Sequence, residues 1–228
     1  MTLASDIMKR ARILLTDEES VRWPLDELAG WINEGVKTIL LAKPSASTET
    51  RIVPLSRGTK QIVPTGGDTK PVMFMKAIRN ILVDGKPGKA ITAVDLLAMN
   101  AIEPDWHSER RPRKQVDHSI YDEQNPDEYF VYPASDGSGK IEILLSCVPK
   151  PIEASSDEFE IESYEQDIGL NELYDAPLLD YLIYRAHSKD ATGGSAELAS
   201  SHYTLFAQAI GIKTQVEANS SSNARRTA

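Results

Sequence analysis

The residues of this chain best equipped for chemistry crowd into one stretch, His118 to Tyr132, which reads HSIYDEQNPDEYFVY. A histidine beside Asp122 or Glu123 is the raw material of general acid–base work, in which a carboxylate orients an imidazole. Hydrolytic catalysis needs more: a nucleophile, a base and an orienting group converging in a pocket. The chain has no G-x-S-x-G elbow, no Walker loop, no G-x-G-x-x-G and no H-E-x-x-H. Its four histidines are His107, His118, His187 and His202, and no two stand at the i, i+3 or i+4 spacing that puts paired ligands on one helical face. His187 and His202 fall on helices that can face each other, where a packed or surface pair is the expectation rather than a metal site. Cys147 sits in an apolar strand as inert packing. The residues point to no catalytic, cofactor or metal site and to a non-enzymatic protein. The stretch itself reads as a turn at Asn125-Pro126 between strands. Tyr129 and Val131 face one side of the second strand, and Phe130 and Tyr132 the other.

Two charged segments suggest adhesion. Glu109 to Lys114, ERRPRK, is the one cationic run, while Glu153 to Glu172 carries carboxylates and neither lysine nor arginine. Each has a solvated reading. Together they suit head-to-tail pairing of identical subunits, which makes Arg110, Arg111, Arg113 and Lys114, with Glu158, Glu160 and Glu162, candidates for a subunit or partner interface. Trp106 joins them as a candidate anchor, and Trp23 and Trp31 flank a helix; exposed tryptophans anchor interfaces, and buried ones are core.

Composition bounds the alternatives. The 228 residues suffice for one large domain or two small ones, and 41% hydrophobic residues describe an ordinary globular chain. One cysteine excludes an internal disulfide framework and multi-cysteine metal sites. Met1 to Arg12 lacks the apolar run of a signal peptide, and no stretch has the roughly 18 apolar residues of a membrane span. A reducing, intracellular place of synthesis is expected. A formal charge of -9 argues against tight gripping of nucleic acid, which needs cations on phosphates, but it suits a wall past which DNA slides.

Apolar periodicity predicts a helix over Leu3 to Leu15 and a second from Pro24 to Ala42. Between Ser45 and Tyr164 the period changes. TRIVPL and TKQIVP predict a hairpin around Arg57-Gly58, and MKAIRNILVDGKPGKAI a strand pair turning at Asp84-Gly85. TAVDLLAMN predicts a short helix capped by Thr92, and EYFVYP and KIEILLSCVP are strands joined across ASDGSG. A third helix is expected from about Asp175, and a fourth, after ATGGS, carries Leu198, Ala199, His202, Phe206 and Ile210. The expectation is an α+β chain, mainly a bundle of about four long helices with a small antiparallel β element inserted. Its parts are a discontinuous helical bundle (1–44 and 165–215), a β-rich insertion (45–164) and a flexible C-terminal tail (216–228).

The order of motifs then becomes informative. RWPLDELAGWINEG (22–35), GTKQIVP (58–64), IRN (78–80), PDWH (104–107), HSIYDEQNPDEYFVYP (118–133), LLDYLIYRAHSKDA (178–191) and HYTLFAQAIG (202–211) follow one another through most of the chain. In that order the chain resembles the head-to-tail adaptor, or connector, proteins of tailed bacteriophages, of the short-tailed type. The resemblance implies a virion structural protein at the capsid vertex. Such a protein forms a ring of twelve subunits between the portal protein and the tail tube or nozzle protein, extends the DNA channel for genome retention and ejection, and binds no specific DNA sequence and no membrane. It also implies a C-terminal extension that docks on the portal, for which Val216, Asn219, Arg225 and Arg226 are the candidates. Another tail-vertex component, such as a tail terminator or a nozzle protein, is the rival assignment; a nozzle would call for a longer chain richer in strands.

Overall fold

The computed structural model describes residues 2–67, 69–108, 110–189 and 195–220, with the side chains of 212–220 excepted. The chain divides into two compact units, Met1–Ser47 with Pro149–Ala228, and Thr48–Val148.

The first unit is helical. Helix α1 (Ala4–Leu15) buries Ile7, Met8, Ala11 and Leu15 along one stripe and stops at Thr16, which adopts the left-handed conformation. Asp17 then ties the corner: its carboxylate accepts from the backbone N–H groups of Val21, Arg22 and Trp23 at 3.1, 3.0 and 2.9 Å. Pro24 caps α2 (Leu25–Ala42), where a missing N–H costs nothing. Helix α4 (Asp175–Lys189) packs on α2 across Gly35, where an added Cβ would stand 2.6 Å from Leu178 Cδ1 and 2.9 Å from Tyr181 Cδ1. A Cβ at this position would force Leu178 and Tyr181 to shift. Helix α5 (Ser195–Ser220) returns along α4 with Ala199, Phe206 and Ile210 buried. The expected tail from Val216 is therefore helical as far as Ser220.

The second unit is a pair of sheets. Its elements in order are β1 (Thr48–Pro54), β2 (Gly58–Ile62), β3 (Lys70–Ile81), β4 (Pro87–Ala90), β5 (Thr92–Ala93), α3 (Leu96–Ile102), β6 (His118–Ile120), β7 (Glu128–Ser135) and β8 (Lys140–Val148). One sheet has the order β1-β8-β3-β4, the other β2-β7-β6-β5. All pairs are antiparallel except β5 with β6. Val53, Phe74, Ala77, Ile141, Ile143, Leu145 and Cys147 of the first sheet share a core with Tyr129 and Val131 of the second.

These facts correct the expected architecture. The described residues form five α-helices and two four-stranded sheets, not a bundle of four long helices carrying a small β element. The error has a physical source in two connections. Neither β1–β2 nor β7–β8 is a hairpin pair; in each case the chain crosses from one sheet to the other. Strands with one strongly apolar face must bury it, and two sheets face to face do so without a helix. The short helix also starts later than expected: Asp95 caps it, accepting from Leu97 and Ala98 N–H at 2.9 and 3.1 Å, while Thr92 lies in β5.

Candidate subunit interface

The stretch 118–132 is architecture. His118 lies near-parallel to Tyr132 with ring centroids 6.2 Å apart, and no hydrogen bond joins it to Asp122 or Glu123. Asp122 instead closes the turn, accepting from Gln124 N–H at 3.0 Å through its side chain and from Asn125 N–H at 3.0 Å through its carbonyl. Tyr129 stacks on Phe74 at 4.3 Å, and burial pushes its phenol well above the ordinary range. A phenol so placed holds its proton and fills the core. His202 Nδ1 sits 2.8 Å from Asp180 Oδ1, and its ring lies 6.4 Å from that of His187. The two histidines thus meet between α4 and α5, and no group of three or more His, Cys, Asp or Glu among the described residues can hold a metal.

Trp106 belongs to the core. It is 2% exposed, donates from Nε1 to Asn100 Oδ1 at 2.8 Å, and packs edge-on to Phe130 at 5.6 Å. Trp23 and Trp31 are buried too, so none of the three presents itself to a partner.

The cationic run lies at one end of the β unit. Arg113 bonds through its backbone to Ala134 and Asp136 at 2.8 and 3.0 Å, which lays residues 113–114 along the β7–β8 connection. A Cβ on Gly139 would fall 2.1 Å from the Lys114 carbonyl, so this close contact requires glycine. Leu55 N–H donates to the Gly139 carbonyl at 2.9 Å, bringing the β1–β2 connection, and with it Arg57, to the same end. Arg57, Arg110, Arg111, Arg113, Lys114 and Lys140 are all exposed there. Two carboxylates temper them. Asp117 binds Lys89 at 2.7 Å and lies 3.8 Å from Arg113. Asp136 is held below the usual carboxylate range, first by the backbone N–H and hydroxyl of Ser138, at 2.8 and 2.7 Å, then by the charges of Lys114 and Arg57.

The anionic segment belongs to the helical unit, where residues 155–164 fold back on themselves. Ser155 N–H donates to the Ser163 carbonyl at 2.9 Å, the Ser156 and Ser163 hydroxyls meet at 2.8 Å, and Tyr164 OH donates to the Glu158 carbonyl at 3.1 Å. Burial, then the charges of Asp26, Glu158 and Asp157, push the Tyr164 phenol up. At the tip, Phe159 N–H donates to Asp157 Oδ1 at 3.0 Å, while Phe159 as a whole is 80% exposed. Glu158, Glu160 and Glu162 are exposed around it. Sequence reasoning missed Phe159 and Arg57. The first was legible as an aromatic alone among carboxylates; the second becomes part of the cluster only through the sheet crossing.

Of the candidate tail residues, Val216 and Asn219 lie in α5, and Arg225 and Arg226 lie outside the described residues. Among the described residues no helix is long and apolar enough to cross a membrane.

No curated protein matches the chain. The protein family described as SU10 adaptor protein matches residues 1–227, spanning both units and all the motifs from Arg22 to Gly211. With a match of that extent, the chain belongs to the SU10 adaptor family, in keeping with the phage head-to-tail adaptors that its motifs resemble.

Proposed function

We propose that this protein is the head-to-tail adaptor of a tailed phage: a ring of twelve copies between portal and tail or nozzle that continues the DNA channel. The observation that carries the reading is the family match over residues 1–227. The physical character of the chain supports it. The helical unit holds 12 basic and 20 acidic residues, a charge of -8, and the β unit 13 and 14, a charge of -1. Repeated around a ring, an acidic helical unit repels phosphate, so DNA passes without being trapped. The exposed side of α5 from Ala196 to Gly211 carries Leu198, Tyr203 and Leu205, with Glu197 its one charged residue. A helix surface so poor in charge suits contact with protein better than contact with water. The work of the molecule is adhesion, and no residue is assigned a catalytic role. The C-terminal residues from Val216 serve portal docking.

Cryo-electron microscopy of virions tests the reading directly. Density for this chain between portal and tail is the expected result, and density anywhere else overturns it. Deleting Val216 to Ala228 should leave the helical content of the remainder unchanged and weaken portal binding; unaltered portal affinity removes the docking role.

A further inference from the structure

We propose that the arginine-rich end of the β unit is a docking surface for the Asp157–Glu160 tip of a second copy of this chain, an inference that rests on the ring reading. The surface combines Arg57 from the β1–β2 connection, Arg110, Arg111, Arg113 and Lys114 from the loop before β6, and Lys140 at the start of β8. Four of the six are arginines. A guanidinium pairs with carboxylates through two parallel hydrogen bonds and also stacks on aromatic faces, whereas an ammonium is a point charge. The complementary chemistry stands on the same chain. Residues 153–172 carry eight carboxylates and no cation, and their tip presents Asp157, Glu158 and Glu160 around an outward-facing phenyl ring. The hydrogen bonds that close 155–164 hold this tip folded before any partner arrives, which lowers the entropy lost on docking. An exposed aromatic on a prefolded loop, ringed by charge, has the composition of an interface anchor with a polar rim.

Nucleic acid is the competing occupant of any cationic surface. Two features favour the carboxylate tip. An extended phosphate backbone crossing the cluster runs over the interspersed Asp117 and Asp136, whereas a four-residue tip can seat on the arginines between them, and the β unit as a whole has a charge of -1 rather than the excess of cations that phosphate binding uses. A head-to-tail contact of two different patches is also the kind that generates a closed ring.

Complementary charge reversal in the full-length protein tests this. One variant carries Glu158→Lys, Glu160→Lys and Glu162→Lys; the other carries Arg110→Glu, Arg111→Glu and Lys114→Glu. All six positions are exposed, so thermal melts of both should match the parent. Each variant alone should lose about tenfold or more of its incorporation into phage particles, because every tip meets a like-charged end. Expressed together they should recover it, since each variant's tip matches the other's end. Incorporation of either folded variant at the parental level, or no recovery in the mixture, overturns the proposal.

A photo-crosslinking residue at position 159, in assembled particles, supplies a second readout. It should give covalent dimers of this chain that map to residues 57, 110–114 or 140. Crosslinks to DNA or only to other proteins overturn the docking assignment even where microscopy places the chain at the head–tail junction. Absence of the chain from that junction fails the ring reading instead.

Discussion

At the scale of single residues, three side-chain amides do work that the motifs marked without explaining. Asn33 donates to the Ile152 carbonyl at 3.0 Å and accepts from Ile152 N–H at 2.7 Å. Gln61 does the same with Ser56, at 2.9 and 2.7 Å. Asn80 donates to Val116 at 2.8 Å and to Lys89 at 3.0 Å, and accepts from Val116 N–H at 2.9 Å. Each imitates one step of a β-ladder, so a side chain holds a loop as a neighbouring strand would. Each lies in a motif that carried the family resemblance: WINEG, GTKQIVP and IRN. Sequence could flag them as polar residues in apolar surroundings, but not name partners as distant as Ile152 from Asn33. Asn80 anchors the chain just after the cationic loop and is 1% exposed. Asn80→Ala strands the backbone groups of Val116 in a buried setting, and should cost about 2–4 kcal/mol. The midpoint of a urea unfolding curve reads it; a change below about half a kcal/mol would mean the loop finds other partners.

At the scale of elements, periodicity located nearly every helix and strand, but it did not tell which sheet a strand joins. An alternating pattern fixes which side chains face inward and says nothing of the neighbouring strand. ASDGSG looks like a hairpin turn, yet it carries the chain between sheets, because β8 pairs with β1 and β3 while β7 pairs with β2 and β6. The cationic cluster depends on this crossing, which lays residues 113–114 against Gly139. Gly139→Ala places a methyl carbon inside the Lys114 carbonyl and should destabilise the fold by about 1–3 kcal/mol while shifting the cationic loop; thermal melts and the amide spectrum of residues 110–116 report the two effects. The same unit has a predictable response to acid. Glu49 is held below its ordinary range, first by its hydrogen bonds from Arg51 and then by Thr69, and Asp136 is held down by Ser138. Their folded pKa values are depressed, so the stability they lend is complete above the ordinary carboxylate range, about 4. It drains away as pH falls through the lower folded values. Melting temperature should therefore drop below pH 4, and Asp136→Asn should flatten part of the drop; an identical profile for that variant would assign the loss to other carboxylates.

At the scale of the whole molecule, the decisive feature is how one chain supplies two compact units. The β unit is continuous, Thr48–Val148, and it interrupts a helical unit whose two parts are Met1–Ser47 and Pro149–Ala228. Thr48 pairs with Ser146 across β1 and β8, so the chain enters and leaves the β unit on neighbouring strands. Paired antiparallel residues have Cα atoms only about 5 Å apart, so a short linker can replace the whole insertion. The acidity is segregated along the same division, with -8 on the helical unit and -1 on the β unit. The sequence showed the change of period near Ser45, but residues 149–164 have neither period. Their place with the helices comes from contacts such as Asn33 with Ile152, made across the insertion. If the two units are energetically separate, residues 48–148 expressed alone should fold into a β protein with a cooperative melt. The complement, Ser47 joined to Pro149 through a few glycines and serines, should retain its helical circular dichroism. Cooperative folding of both pieces is the expected outcome. A β piece that stays unfolded by circular dichroism and amide dispersion would show that its core, closed by Phe74, Tyr129, Val131 and Ile143, is not sufficient without the helices.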